Sequence, residues 1–123
     1  MNLHYGPFDA DRVSADPGLS FDDVLLVPRR NRLRSRRDVD TAMQLTAGIR
    51  LAVPIVSANT PWCTGARMGI AMARAGGIGI VHRMWSPADQ AAAVAATKAA
   101  GPGDAPHATR DAAGRLRVGA AVG

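Results

Sequence analysis

The chain has 123 residues, of which 47% are hydrophobic and 20% are charged, and its net charge is +5. This length allows one domain at most, and the single cysteine, Cys63, excludes an internal disulfide and a thiolate metal cluster. The first residues lack the features of a signal peptide, and no apolar stretch approaches the roughly 20 residues that span a bilayer. We therefore expect a soluble cytoplasmic protein with no membrane partner.

The excess positive charge is concentrated in an arginine segment, residues 29–37. Its arginines are Arg29, Arg30, Arg32, Arg34, Arg36 and Arg37. One interpretation is a solvated connection, and the alternative is a surface that faces phosphates or nucleic acid. No aromatic residue is interleaved among these arginines, although single-strand binders need stacking platforms. We therefore expect non-specific affinity for polyanions and no nucleic-acid partner.

The chain opens with an irregular leader, residues 1–19, that contains several Gly, Pro and Asp residues. Residues 21–27 then become apolar before Pro28, which predicts a short strand or extended segment. A second small extended element is predicted at residues 45–49.

Strand and helix patterns alternate in the rest of the chain. Residues 51–56 are apolar and partly β-branched, which predicts a strand buried on both faces, with regular pairing after Pro54. Thr64 is placed to cap the helix that follows. The predicted apolar face of this helix consists of Met68, Ala71, Met72 and Ala75. Gly76-Gly77 should end it, because Gly adopts the left-handed conformation at little cost.

A second strand is predicted at residues 78–81, and the helix after it carries the clearest local signal. Ser86 is a candidate N-cap, Pro87 takes the first helical position and Asp89 the third. Alanines continue this helix to Ala100, and residues 116–122 form the third predicted strand after a polar linker. The order strand–helix–strand–helix–strand predicts an α/β fold with a parallel sheet.

Taken in order, five phrases of the chain resemble the IMP dehydrogenase / GMP reductase family. They are SFDDVLLVP at residues 20–28, PIVSAN at 54–59, the stretch 68–83 with GGIGIVHR, SPADQ at 86–90, and DAAGRLRVGAAVG at 111–123. The resemblance implies the N-terminal portion of a (β/α)8 TIM barrel, incomplete with about three strands, in a domain at residues 20–123. A complete barrel takes about 250 residues, so the chain is predicted to be an N-terminal fragment.

The resemblance implies an oxidoreductase of purine metabolism that converts IMP to XMP with NAD in guanine nucleotide biosynthesis, and that forms a homo-oligomer when complete. The family's nucleophilic cysteine lies on a later loop, so no catalytic residue is assigned and the isolated chain is expected to be inactive. Cys63 falls where the family usually has valine and is interpreted as a buried, inert thiol. The interval 101–109 is too short for the regulatory CBS modules that many members carry.

The barrel architecture places substrate contacts on the loops after the first two strands. The residues that the resemblance assigns to the purine nucleotide are Ser57, Ala58, Asn59, Thr60, His82 and Arg83. The alternative for Asn59 is a bond to its own backbone in a tight loop, and the alternative for His82-Arg83 is a surface or helix-entry contact. Thr60 stands where the family usually has a methionine that packs on the base, so weaker base packing is expected.

Other kinds of site find little support in the sequence. The three histidines lack metal-ligand spacing, so no metal site is predicted. The glycines at 76–79 precede a strand instead of following one, which argues against a dinucleotide fingerprint. Two alternative functions stay open: a GMP reductase-like parent, and a small non-catalytic protein that binds nucleotide or polyanion through the arginine segment.

Overall fold

The computed structural model describes residues 17–123, so most of the predicted leader lies outside the described residues. The chain divides into two compact units, Met1–Arg34 and Ser35–Gly123. The described part of the first unit contains one 3-10 turn, Phe21–Asp23. The second unit contains a 3-10 turn at Arg36–Asp38, five strands and two α-helices.

The turn in the first unit is held by Ser20. Its hydroxyl accepts a hydrogen bond from the Asp22 N–H at 3.3 Å, and its own N–H donates to the Asp23 carboxylate at 2.7 Å. The bond from the Ser20 backbone lowers the pKa of Asp23, and the Ser20 hydroxyl adds to this effect. The short strand or extended segment predicted at residues 21–27 is wrong at residues 21–23, because these side chains bind the backbone and favour a turn. Val24, directly after the turn, has an extended backbone, as predicted. Residues 24–27 belong to no strand.

The second unit opens with an antiparallel hairpin of β1, Met43–Thr46, and β2, Ile49–Leu51. The sequence predicted one extended element at 45–49 and a barrel strand at 51–56, and both boundaries are wrong. Leu51 pairs with Met43 inside the hairpin. The N–H groups of Ala52 and Val53 both donate to the Gly76 carbonyl at 3.0 Å. These residues are thus bound to a helix end. The next strand starts after Pro54, which confirms the prediction that regular pairing begins there.

Three parallel strands form the main sheet in the order β3, β4, β5. Their bounds are Val56–Ser57, Ile78–Val81 and Val118–Ala120. The predicted second strand is confirmed, and the predicted third strand is shorter than expected. Parallel pairing across β3–β4 and β4–β5 confirms an α/β arrangement with about three strands. Closure into a barrel needs further strands and stays a prediction.

Helix α1, Ala66–Arg74, presents a different face to the core than the sequence predicted. Its fully buried positions are Gly69 and Ala73, whereas three of the four predicted positions are exposed and Met72 is half-buried. A Cβ added at Gly79 of β4 would lie only 2.7 Å from the Gly69 Cα. The helix therefore approaches the sheet so closely that only very small residues fit at the contact.

The two ends of α1 have different outcomes. The predicted cap at Thr64 is wrong, because the N-cap is Gly65 and makes no side-chain bond. The predicted stop at Gly76-Gly77 is confirmed. Gly76 has φ of +91°, and the N–H groups of Gly76 and Gly77 donate to the carbonyls of Ala73 and Met72 at 3.2 and 2.9 Å. This pair of bonds is a Schellman motif.

Helix α2, Pro87–Ala99, begins as the sequence predicts. The Asp89 N–H donates to the Ser86 hydroxyl at 3.2 Å, and this hydroxyl donates to the Asp89 carboxylate at 2.6 Å. The helix ends before Gly101, which has φ of +64°. Its buried Thr97 packs near Gly69 of α1, where an added Cβ would lie 3.1 Å from the Thr97 hydroxyl oxygen.

The core of the second unit lies between the sheet and the two helices. Its buried apolar side chains are Leu51, Ala73, Ile78, Val81, Ala93 and Leu116. The polar linker after α2 is anchored by Asp111, which contacts Lys98 of α2 and Arg115, each at 3.0 Å. The Lys98 ammonium holds the pKa of the Asp111 carboxyl well below its usual range, and bonds from Arg115 assist.

Candidate functional site

The three parallel strands present their carboxyl ends at one edge of the sheet. β3 ends at Ser57, β4 at Val81 and β5 at Ala120. The segments that follow, 58–65, 82–86 and 121–123, therefore start side by side. This is the edge at which parallel α/β sheets bind ligands, and it carries all six residues that the resemblance assigned to the nucleotide.

The loop after β3 is closed by hydroxyl groups that point inward. The buried Ser57 hydroxyl lies 2.7 Å from that of Thr64, and Thr64 donates to the Ala58 carbonyl at 2.5 Å. The N–H groups of Cys63 and Thr64 bond to the Thr60 carbonyl at 3.0 and 3.1 Å. Ser57 therefore supports the loop from behind. The polar side chain of Thr64 is the only sequence signal for this role, and the sequence analysis interpreted it as a cap of the following helix.

The other three assigned residues of this loop face outward. Ala58, Asn59 and Thr60 are all exposed. They offer a small surface, a side-chain amide and a hydroxyl, which can approach a ligand closely and hydrogen-bond it. Thr60 is the first residue of the bonded turn, so the two bonds to its carbonyl fix its backbone position.

The loop after β4 is built on a fully buried histidine. His82 is 0% exposed, and its Nδ1 accepts a hydrogen bond from the Met84 N–H at 3.2 Å. In the neutral ring the proton then lies on Nε2, which has no partner among the described residues. The ring also meets Trp85 edge-on, with centroids 4.1 Å apart. Arg83 is exposed, so of the assigned His-Arg pair only the arginine is presented to solvent.

A residue that the sequence did not assign joins the ends of β4 and β5. The side-chain amide of Gln90, on the first turns of α2, donates to the His82 carbonyl at 3.0 Å and to the Ala121 carbonyl at 2.8 Å. The Ala121 N–H donates to the Val81 carbonyl at 2.9 Å. Only the position of Gln90 in the SPADQ phrase marked it beforehand.

An open apolar cavity of about 570 Å³ lies beside the first loop. Its lining consists of Cys63, Gly65, Ala66, Arg67, Met68, Ala71 and Trp85. Cys63 is half-buried, so the prediction of a buried thiol is wrong in its burial. Met68 and Ala71, which the sequence placed in the core, line this cavity because Gly69 and Ala73 occupy the sheet contact instead.

The described residues give limited support to other ligands. Among residues 17–123, no three His, Cys, Asp or Glu side chains come together as metal ligands. Cβ atoms added at Gly77 and Gly79 would meet the Ile55 carbonyl at 2.5 Å and the Gly69 Cα at 2.7 Å. These glycines face protein and form no cradle for a dinucleotide such as NAD. Neither described helix is long and apolar enough to cross a membrane.

Sequence comparison agrees with this architecture. A model of the IMP dehydrogenase / GMP reductase domain matches residues 18–123. The chain therefore belongs to the IMP dehydrogenase / GMP reductase family.

Curated relatives of two kinds match it. An inosine-5'-monophosphate dehydrogenase of Nitrosopumilus maritimus is 46% identical over 68% of this chain and 18% of its own length. A GMP reductase of Leishmania donovani is 45% identical over 68% of this chain and 17% of its own length. An inosine-5'-monophosphate dehydrogenase of Mycobacterium tuberculosis is 49% identical over 66% of this chain and 15% of its own length. The chain thus spans less than a fifth of the length of these relatives.

Proposed function

We propose that the chain supplies three strands and two ligand loops to an IMP dehydrogenase-like barrel, whose complete form is a homo-oligomer that oxidises IMP to XMP with NAD. Family membership supports the proposal. The observation that carries it is the common edge at which the loops after β3 and β4 expose Asn59, Thr60 and Arg83.

The roles of the six assigned residues differ in this proposal. Ala58, Asn59 and Thr60 form a wall against the purine nucleotide, and Arg83 offers a permanently charged guanidinium that suits a phosphate. Ser57 and His82 are buried, so they act by holding the two loops in place. Thr60→Met should tighten IMP binding through a polarizable contact with the base.

No chemical step is assigned to this chain. Its residues lack the family's nucleophilic loop, and the described glycines do not fit NAD. The expectation is that the purified 123-residue chain forms no NADH from IMP. Reproducible NADH formation that survives further purification would contradict this, and loss of that activity in Cys63→Ser would give Cys63 a catalytic role.

Binding can be tested apart from catalysis. Titration of the chain with IMP, followed by backbone amide NMR, should shift the signals of residues 58–60 and 83. Arg83→Met should weaken the binding. Arg50→Met on β2 serves as a control, because Arg50 is also exposed but lies in the hairpin. Shifts elsewhere, with none at these loops, would refute the proposed nucleotide wall.

A GMP reductase-like parent is the second candidate. The identities to the archaeal dehydrogenase and the Leishmania reductase, 46% and 45%, favour neither. A complete protein that contains this segment should be assayed with IMP and NAD and with GMP and a reduced nicotinamide cofactor. Turnover of GMP alone would select the reductase.

A non-catalytic polyanion binder is the third candidate. The observation behind it is a cavity of about 490 Å³ lined by Arg30, Asn31 and Arg32, within a segment whose arginines are all exposed. If the arginine segment is only a solvated connection, its non-specific binding of a polyanion should weaken steeply with salt through counterion release. Salt-resistant, sequence-selective binding would favour this function over the enzyme.

A further inference from the structure

We propose that Gln90 is a positioning residue, which locks the ends of β4 and β5 together and thereby sets the direction of Arg83 at the ligand edge. The link between the strands consists of hydrogen bonds within the chain. Its expected effect on nucleotide binding rests on the proposed function. It would make a half-buried residue of α2, which lies behind the loop, a determinant of nucleotide affinity.

The Gln90 amide binds two backbone carbonyls at the ends of neighbouring strands. His82 and Ala121 each follow the last residue of a parallel strand, and their carbonyl oxygens both accept from the Gln90 amide nitrogen, at 3.0 and 2.8 Å. Two carbonyls cannot bond to each other, so the ladder between β4 and β5 has no backbone means of joining them. A carboxamide can, because its nitrogen carries two donors in one plane.

The last backbone hydrogen bond between β4 and β5 lies directly beside these two carbonyls. The Ala121 N–H donates to the Val81 carbonyl at 2.9 Å. The Gln90 amide therefore adds a side-chain connection directly after the last backbone bond between the two strands. Gln90 is itself half-buried in the first turns of a helix with a bonded N-cap, so its side chain starts from a rigid base.

Arg83 lies between two residues whose positions are fixed by hydrogen bonds. The residue before Arg83 is held through its carbonyl by Gln90, and the residue after it donates its N–H to His82 Nδ1 at 3.2 Å. The Arg83 side chain reaches toward the segment after β5, where a Cβ added at Gly123 would lie 2.7 Å from an Arg83 Nη1. Gln90 and Arg83 thus both reach between the end of β4 and the end of β5. If these two ends separated, the Arg83 guanidinium would lose its contact with the segment after β5.

The experiment compares Gln90→Met, which keeps side-chain length but loses both donors, with Gln44→Met. Gln44 is a matched control because its amide also donates to a carbonyl, that of Thr46, but in the hairpin. Wild-type chain should show slow exchange of the Gln90 side-chain NH2 and scalar coupling to the His82 and Ala121 carbonyl carbons. In Gln90→Met the Ala121 N–H should exchange about tenfold faster, the effect of losing roughly one net hydrogen bond. The Ile78 N–H, bonded to Ile55, should be unchanged.

An IMP titration of the same variants separates the two proposals. If wild type binds IMP, Gln90→Met should bind about tenfold more weakly, and Gln44→Met should match wild type. Equal affinity in a folded Gln90→Met would overturn the positioning role and leave the nucleotide wall standing. If the wild-type chain does not bind IMP, the proposed function fails at these loops. The link made by Gln90 is then tested by the exchange rate of the Ala121 N–H alone. Unchanged exchange in a folded Gln90→Met, or a circular dichroism spectrum showing that this variant alone unfolds globally, would refute a local lock.

Discussion

The two helices of the second unit begin by different means. Helix α2 starts with a bonded Ser86 cap, proline at the first position and an acidic residue in the first turn. Helix α1 starts at Gly65 with no side-chain cap bond, and its position follows from contact between Gly69 and Gly79. The start of α2 is therefore determined by adjacent residues, whereas the position of α1 depends on the sheet beneath it.

The largest expected effect breaks the contact that holds α1. Gly79→Ala introduces a Cβ at 2.7 Å from the Gly69 Cα, and a backbone atom cannot move aside cheaply. We expect a loss of about 2 kcal/mol or more in the free energy of unfolding, from overpacking. Urea denaturation measures it. Gly48→Ala is the control, because nothing lies within 4 Å of its added Cβ. Equal stability of the two variants would show that α1 can shift without cost.

The next effect concerns the loop that precedes α1. Thr64→Val keeps the shape of a fully buried residue but removes the hydroxyl that bonds to Ser57 and Ala58. Leaving these groups unpaired should cost roughly 1–3 kcal/mol. Thr64→Ser, which retains the hydroxyl, should recover part of the loss. If valine is tolerated as well as serine in thermal unfolding, the hydroxyl pair does not hold the loop.

A smaller effect is expected at the start of α2. Ser86→Ala removes the acceptor of the Asp89 N–H and should cost about 1 kcal/mol, a typical value for an N-cap. Ser86→Asp should restore most of it. A cost at Ser86 as large as that at Gly79 would contradict the contrast between a locally encoded helix and one held by the sheet.

The smallest expected effect concerns the polar anchor of α2. The lowered pKa of Asp111, due first to Lys98, means that folding favours its ionised form. The resulting stability is complete above about pH 5 and is lost as the pH falls below about 4. Asp111→Asn should therefore be less stable than wild type at neutral pH, and the difference should narrow in acid. Lys98→Met should reduce the same acid dependence, and an unchanged pH profile in Lys98→Met would assign it to other groups.

Prediction from sequence succeeded where a signal is contained in a few adjacent residues. The cap of α2, the glycine stop of α1 and the strand at 78–81 are of this kind, since each depends on backbone conformation and short-range hydrogen bonds. It failed at Thr64, at the buried face of α1 and at residues 51–53. In each of these a partner outside the adjacent residues outweighs the local preference: Ala58 for Thr64, Gly79 for α1 and the Gly76 carbonyl for residues 52–53.

The candidate site divides in the same way. The motifs identified the family and the two loops, because their order along the chain is itself the signal. The motifs did not distinguish exposed Asn59, Thr60 and Arg83 from buried Ser57 and His82, and they did not mark Gln90 as a link between strands.

The α/β order of elements, the helix ends marked by glycine and the family membership all follow from the amino-acid sequence. The buried face of α1, the hydroxyl that closes the first loop and the amide that joins β4 to β5 became visible only in the folded chain. The hydroxyl bonds of Thr64 to Ser57 and Ala58 form only when the whole loop has closed. The packing of α1 and the bonds of Gln90 join residues that are far apart in the chain, and these meet only when the strands lie side by side. Gln90 and Ala121, separated by 31 positions, meet for that reason alone.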